Sequence, residues 1–176
     1  MVYNKIAKEI SEDFMAKKEK EIKTNAMRIL EKMRIPFGLF TYECDEFIDA
    51  FQTADLINQP YETMYKTLVT VGKSKTYYTF VIPIAEEIDF KKAAKAVGEK
   101  SMEMLPLKDL TPVTGYVRGG CTAIGMKKKF KTIIQEDVKK LEKVVVSGGR
   151  IGLQLVLFPD DLKKAADAEY ADVIRK

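Results

Sequence analysis

Short strand-like runs, interrupted by single helices and closed by hairpin-type turns, place this 176-residue chain in the α+β class, as a single domain built on a mixed sheet. Three observations carry that expectation. The runs Met64 to Val71 and Tyr77 to Ile84 are rich in β-branched and aromatic residues and flank the polar turn Gly72-Lys73-Ser74-Lys75, as a hairpin does. Asp89 stands before the stretch Phe90 to Val97, which stops at Gly98, so one helix carries both its start and its stop. Ser147-Gly148-Gly149-Arg150 turns the chain into a strand, Ile151 to Phe158, that runs into the helix start Pro159-Asp160-Asp161.

In chain order, residues 1–23 read as a charged helical arm, with Ile6, Ile10 and Phe14 on a narrow apolar stripe. The domain proper spans 24–176. Thr24-Asn25 offers an N-cap to a helix through Ala26, Leu30 and Met33, which ends before Pro36. Phe37 to Glu43 is expected as a strand, and Ala50, Ala54 and Leu56 mark a short helix that ends around Asn58-Gln59-Pro60. After the hairpin and the Asp89 helix, Val113 to Val117 and Lys143 to Val146 are expected as short strands. The last helix runs through Leu162, Ala165 and Ala166.

Composition excludes several chemistries. The chain has no histidine, which removes the commonest general base near neutral pH, the Ser-His-Asp and Cys-His nucleophile systems, and imidazole ligation of zinc. Two cysteines, Cys44 and Cys121, make neither a disulfide framework nor a metal site, so no metal and no cofactor are expected. No apolar run approaches the ~18 residues of a membrane span, and the first residues lack a secretory core. A cytoplasmic protein with neither a membrane nor DNA as partner is expected. The net charge of +4 is modest, but the lysines are grouped: 91, 92, 95 and 100, then 127 to 131, then 139, 140 and 143. Solvated helix faces explain most such runs, whereas two groups meeting at one loop would make a phosphate track.

That loop is Gly115-Tyr116-Val117-Arg118-Gly119-Gly120-Cys121-Thr122-Ala123-Ile124-Gly125-Met126, followed at once by Lys127, Lys128 and Lys129. Glycines let main-chain N–H groups approach a ligand, and the adjacent cations favour an anion. A plain surface hairpin with a charged turn is the rival reading. Lys66 is the other distinctive residue, lying in a strand that is apolar on both faces. Lysine is rarely buried unpaired, so Lys66 either snorkels from a strand end or holds an anion in a cavity, the second being favoured. Cys121 could be a nucleophile only if nearby lysines or a helix terminus favoured its thiolate, since no histidine is present to activate it, and a small semi-buried residue is the favoured reading. Glu43, Asp45, Glu46 and Asp49 read as structural acids preceding a helix.

Tyr65-Lys66-Thr67-Leu68, Asp89 to Ala94, Thr114 to Lys128, and Val146-Ser147-Gly148-Gly149-Arg150-Ile151-Gly152-Leu153 together resemble the YbaK-type Cys-tRNA(Pro) deacylases, in the superfamily of the prolyl-tRNA synthetase editing domain. The resemblance covers about residues 24–176. It implies a strongly curved sheet flanked by helices, and a trans-editing hydrolase that cleaves the ester joining a wrong amino acid to the tRNA 3′ end, Cys-tRNA(Pro) first among candidates. Lys66 maps to the family's strand lysine, which contacts the tRNA 3′ end. Gly119, Gly120 and Gly125 map to the loop that positions the ester. Lys66, Gly119 and Gly120 are thereby the candidate catalytic set. Tyr42, Thr67, Cys121, Thr122, Gly125, Ser147 and Gln154 are the candidate substrate-binding set, and prolyl-tRNA synthetase is a candidate partner. In the family the attacking group is the substrate's own thiol, which suits a chain without histidine. Two positions depart from the family pattern: Ala123 stands where proline is usual, and Gln154 where aspartate is common. The alternatives are a deacylase for another small amino acid, or a non-catalytic module that binds tRNA or a synthetase.

Overall fold

The computed structural model describes residues 23–176. The expected arm therefore lies outside the described residues but for Lys23. Helix α1 (Asn25–Lys32) starts where Thr24 Oγ1 accepts the Met27 amide at 3.2 Å, and it buries Ala26, Met27 and Leu30. Strand β1 (Gly38–Thr41) follows, then helix α2 (Ala50–Leu56), whose start is a reciprocal capping box between Asp49 and Gln52. The acid at 49 is structural in that sense.

Strands β2 (Tyr65–Gly72) and β3 (Tyr77–Pro83) form the expected antiparallel hairpin. Helix α3 (Phe90–Val97) is capped by Asp89 and ends on a left-handed Gly98. Strand β4 (Met102–Met104) and helix α4 (Leu107–Thr114) come next, then β5 (Lys131–Gln135), β6 (Val144–Ser147) and β7 (Leu153–Leu157). Helix α5 (Pro159–Ala165) and strand β8 (Ala168–Ala171) complete the fold.

The strands form two sheets. One has the order β4-β2-β3-β5-β8, with β3–β5 and β5–β8 parallel and the remaining pairs antiparallel. The other is an antiparallel trio, β1-β7-β6. A bridge between Met64 and Val145 stitches the start of β2 to β6. The expected mixed sheet is present, divided at that seam.

Period-two alternation in the trio separates two apolar layers. Val144, Val146, Leu153, Leu155 and Leu157 face the main core with Leu30, Ile124 and Ile134. Val145 and Val156 face the other way and pack with Met64, Ile84 and Ala54 of α2. On that second face the next residues along each strand are Ser147 and Gln154, and there the layer opens into a cavity.

One expected strand is corrected. Residues 113–117 do not form a strand, because 113 and 114 complete α4 and Gly115 ends it in the left-handed conformation, φ 80°. Val113, Thr114 and Val117 favour strands by type, but Thr114 Oγ1 donates back to Leu110 O at 2.7 Å and Thr111 Oγ1 to Tyr116 O at 2.9 Å, closing the helix end. Strands β4, β5 and β8 had no sequence signal of their own. The buried Ile133 and Ile134 of β5 were hidden behind a lysine run.

Candidate active site

The cavity holds about 400 Å³. Its floor is apolar, from Met64, Leu68 and Ile84, and its polar groups include Lys66, Thr67, Ser147, Gln154 and Cys121, with Asp49, Thr53 and Arg118 also in the lining. Residues from Phe47 to Gln154 meet here because β2 and the trio abut at the Met64–Val145 bridge. Phe47 and Phe51 flank the rim, and the Arg118 guanidinium sits 4.2 Å over the Phe47 ring.

Lys66 is half-buried on β2, and its Nζ donates to Ile84 O at 3.1 Å. Burial lowers the ammonium's pKa below the ordinary lysine value, and the opposing pull of Glu87 and then Glu86 does not cancel it. With one carbonyl partner, the ammonium has donors left over on the cavity wall.

Ser147 and Gln154 are directly opposed in the β6–β7 register. Gln154 Nε2 donates to Tyr42 Oη at 3.3 Å, so Tyr42 bears on the site through Gln154 and is not itself a wall residue. Ser147 Oγ is buried and has no hydrogen-bond partner among the described residues. An unmatched buried hydroxyl at a cavity wall is uncommon in folded proteins.

The glycine loop is a rigid wall. Tyr116 Oη donates to Ile124 O at 2.7 Å and to Gly125 O at 3.2 Å, closing the loop on itself. Asn25 Nδ2 donates to Gly125 O at 2.7 Å, and Thr24 Oγ1 to Gly148 O at 2.7 Å, so the first residues of α1 pin both glycine turns. Gly119 has φ +83°, where a side chain is strained. A Cβ at Gly120 would lie 2.8 Å from Arg150 Cα, so the two turns touch backbone to backbone.

Of the candidates in this loop, Gly119 and Cys121 line the cavity and Gly120 lies buried just behind. Thr122 is 1% exposed, and its Oγ1 accepts the Ile124 amide at 3.4 Å, which makes it a loop brace. Gly125 faces away from the cavity, into a second hollow. Burial pushes the Cys121 thiol up to about 12, so it stays protonated at neutral pH and is no ready nucleophile.

Sequence reasoning missed Phe47, Phe51 and Arg118. The i, i+4 spacing of two aromatics around the Asp49 cap was the available signal, as was an arginine within the glycine loop. Among the described residues no cluster of His, Cys, Asp or Glu could hold a metal ion, and no helix is long and apolar enough to cross a membrane. The cavity thus offers two cations, Lys66 and Arg118, the helix-capping Asp49 carboxylate, hydroxyls, an amide and a backbone-lined loop, a set suited to binding and polarising a compact polar group.

Residues 48–165 match the aminoacyl-tRNA editing domain family. The proposed Cys-tRNA(Pro)/Cys-tRNA(Cys) deacylase EbsC of Enterococcus faecalis is 40% identical over 163 residues, which cover 92% of this chain and 99% of that protein. Among solved structures, a proposed trans-editing enzyme for prolyl tRNA synthetase superposes with a TM-score of 0.76 at 20% identity, over 89% of this chain and all (100%) of that one. A hypothetical protein gives a TM-score of 0.79 at 19% identity, over 86% of this chain and 99% of that one. At such identities the two structures speak for the fold alone.

Proposed function

This chain belongs to the aminoacyl-tRNA editing domain family, and from that premise we propose that it is a free-standing aminoacyl-tRNA deacylase with Cys-tRNA(Pro) as its substrate. The observation that carries the reading is the half-buried Lys66 ammonium facing the glycine loop across a small cavity, with the unmatched Ser147 hydroxyl in the same wall. The lysine holds the anionic 3′ end of the tRNA. Loop and hydroxyl position the ester.

In the proposed chemistry the cysteinyl thiol attacks the ester carbon of its own residue. A carbon–sulfur bond forms, the bond to the tRNA 3′ oxygen breaks, and the thiol proton ends on the released 3′ hydroxyl. The product is a four-membered thiolactone, which water then opens to free cysteine. An ester is already activated, so holding the thiol and carbonyl in line, with dipoles aimed at the developing oxyanion, supplies the acceleration. No protein base is needed, in keeping with a chain that lacks histidine.

Gln154 favours a second reading, in which the reaction stays the same and the amino acid differs. A neutral amide that donates to Tyr42 has replaced the acid common in the family, so it cannot select the substrate by charge. Deacylation of Cys-tRNA(Pro), Ala-tRNA(Pro) and Pro-tRNA(Pro) by the wild type separates the readings. Preference for the cysteinyl ester supports the first. Equal cleavage of the alanyl ester removes the thiol mechanism, and no cleavage of any leaves a binding module. Prolyl-tRNA synthetase is proposed as the partner that confers tRNA identity, and a pull-down with that synthetase tests it.

A further inference from the structure

Behind the glycine loop lies a second hollow of about 440 Å³. Met33, Ala123, Met126, Phe130 and Ala165 give it an apolar floor, and Lys128, Lys129 and Lys164 stand around it. The 127–131 lysine group is therefore joined at the loop by a cation from α5, not by either of the other lysine groups. Asp167 is the hollow's acid, and it is consumed by Lys129 at 2.5 Å. Lys128 and Lys164 are exposed and make no ion pair among the described residues, although Lys164 acts at longer range on Asp161. Two free ammonium groups over an apolar floor complement a sugar–phosphate chain, whose sugars are half apolar and whose phosphates each carry one negative charge.

The two hollows share one loop. Gly119 and Cys121 line the first, Ala123 and Gly125 the second. We propose that this hollow is a phosphate-backbone site for the RNA whose 3′ end enters the first cavity, with Lys128 and Lys164 as the contacting cations. It rests on the deacylase reading for its ligand, and on the charge and shape of the hollow for its place. The contact is sequence-blind, because it reads phosphate and not bases. It adds affinity for the polynucleotide while leaving chemistry at the ester untouched.

The test is Lys128→Glu/Lys164→Glu against the wild type, with Lys91→Glu/Lys95→Glu on α3 as a control of equal charge change. On whole aminoacyl-tRNA the first variant is expected to raise KM about tenfold or more at unchanged kcat, and to flatten the slope of log K against log salt by about 1–2. The control should leave both close to wild type. On an aminoacyl-adenosine, which has no backbone to contact, the variant should equal the wild type. Equal KM for variant and wild type on whole tRNA, or an equal loss in the control, would overturn the site. If the wild type deacylates nothing, binding of uncharged tRNA by fluorescence anisotropy still decides. A salt-dependent affinity that only the Lys128/Lys164 variant loses upholds the site, and one that it retains, or no affinity at all, removes it.

Discussion

The Thr24 hydroxyl donates to the Gly148 carbonyl at 2.7 Å across 124 residues of sequence, while accepting the Met27 amide at 3.2 Å. One oxygen thus starts α1 and fixes the second glycine turn. Thr24→Val keeps the shape and removes both bonds. A loss of about 1–2 kcal/mol in urea unfolding is expected, and Thr24→Ser should recover most of it. A Thr24→Val protein as stable as the wild type would show that the bond contributes nothing net.

Lys66→Met preserves the apolar stem and removes the ammonium. We expect deacylation to fall by at least about 100-fold, the scale of a lost electrostatic contact to the reacting group. Stability should hold or rise, because a half-buried charge is gone. Full activity in the folded variant would refute the assigned role.

The pH profile of that activity follows from the same residue. Burial lowers the Lys66 pKa, so the cation is lost as pH rises at a lower pH than for a free lysine. Activity is expected to decline on the alkaline side ahead of the ordinary lysine range, after correction for spontaneous hydrolysis of the ester. A corrected rate that stays flat through that range would contradict a charge-dependent role.

Cys121 gives the opposite expectation. With its thiol pushed up to about 12 by burial, it should react with iodoacetamide far more slowly than a free cysteine at neutral pH. Cys121→Ala should keep deacylation within about threefold, the span left to a packing change. Loss of turnover with binding intact would reinstate it as a chemical participant.

Asp172 contributes to the acid limb of stability. Lys92 Nζ at 2.8 Å, then Gln135 and Lys176, hold its carboxyl well below the usual carboxylate range. A depressed folded pKa adds stability above the unfolded pKa of about 4, and that contribution disappears as pH falls through the folded value. Asp172→Asn should therefore lower the melting temperature by about 2–4 °C at neutral pH, with the difference closing in strong acid. A gap that persists there would point to packing in place of charge.

The legible parts of the fold were those with local chemistry. Asp89 and Gly98 framed a helix, the Gly72 turn framed a hairpin, and each was found where its residues put it. Strand β5 escaped because its pairing with β3 and β8 is parallel and remote, so no adjacent turn announces it. Val113 misled because β-branching speaks for strands until two threonine hydroxyls bond back into a helix end. At the site, the resemblance singled out Lys66, Ser147 and Gln154, and all three line one cavity. Thr122 and Gly125 belong to the same loop but face elsewhere, since a loop's sequence does not reveal which side of it meets the ligand. Phe47 and Arg118 were invisible until the chain brought them together.

Asn25 reaches Gly125 and Thr24 reaches Gly148 over spans of 100 and 124 residues. Both glycine turns are thus held by bonds between the start of α1 and residues 100 or more positions further along the chain. On a ribosome, a nascent polypeptide lacking the β6–β7 turn has Lys66 and the first glycine loop with its Asn25 and Tyr116 braces, but neither Ser147 and Gln154 nor the Thr24 bond to Gly148. Contacts of such long sequence separation also form late and slowly. The protein is therefore expected to acquire its site in the last cooperative step of folding, so that regain of ligand binding after dilution from urea coincides with the slowest folding phase and never precedes it.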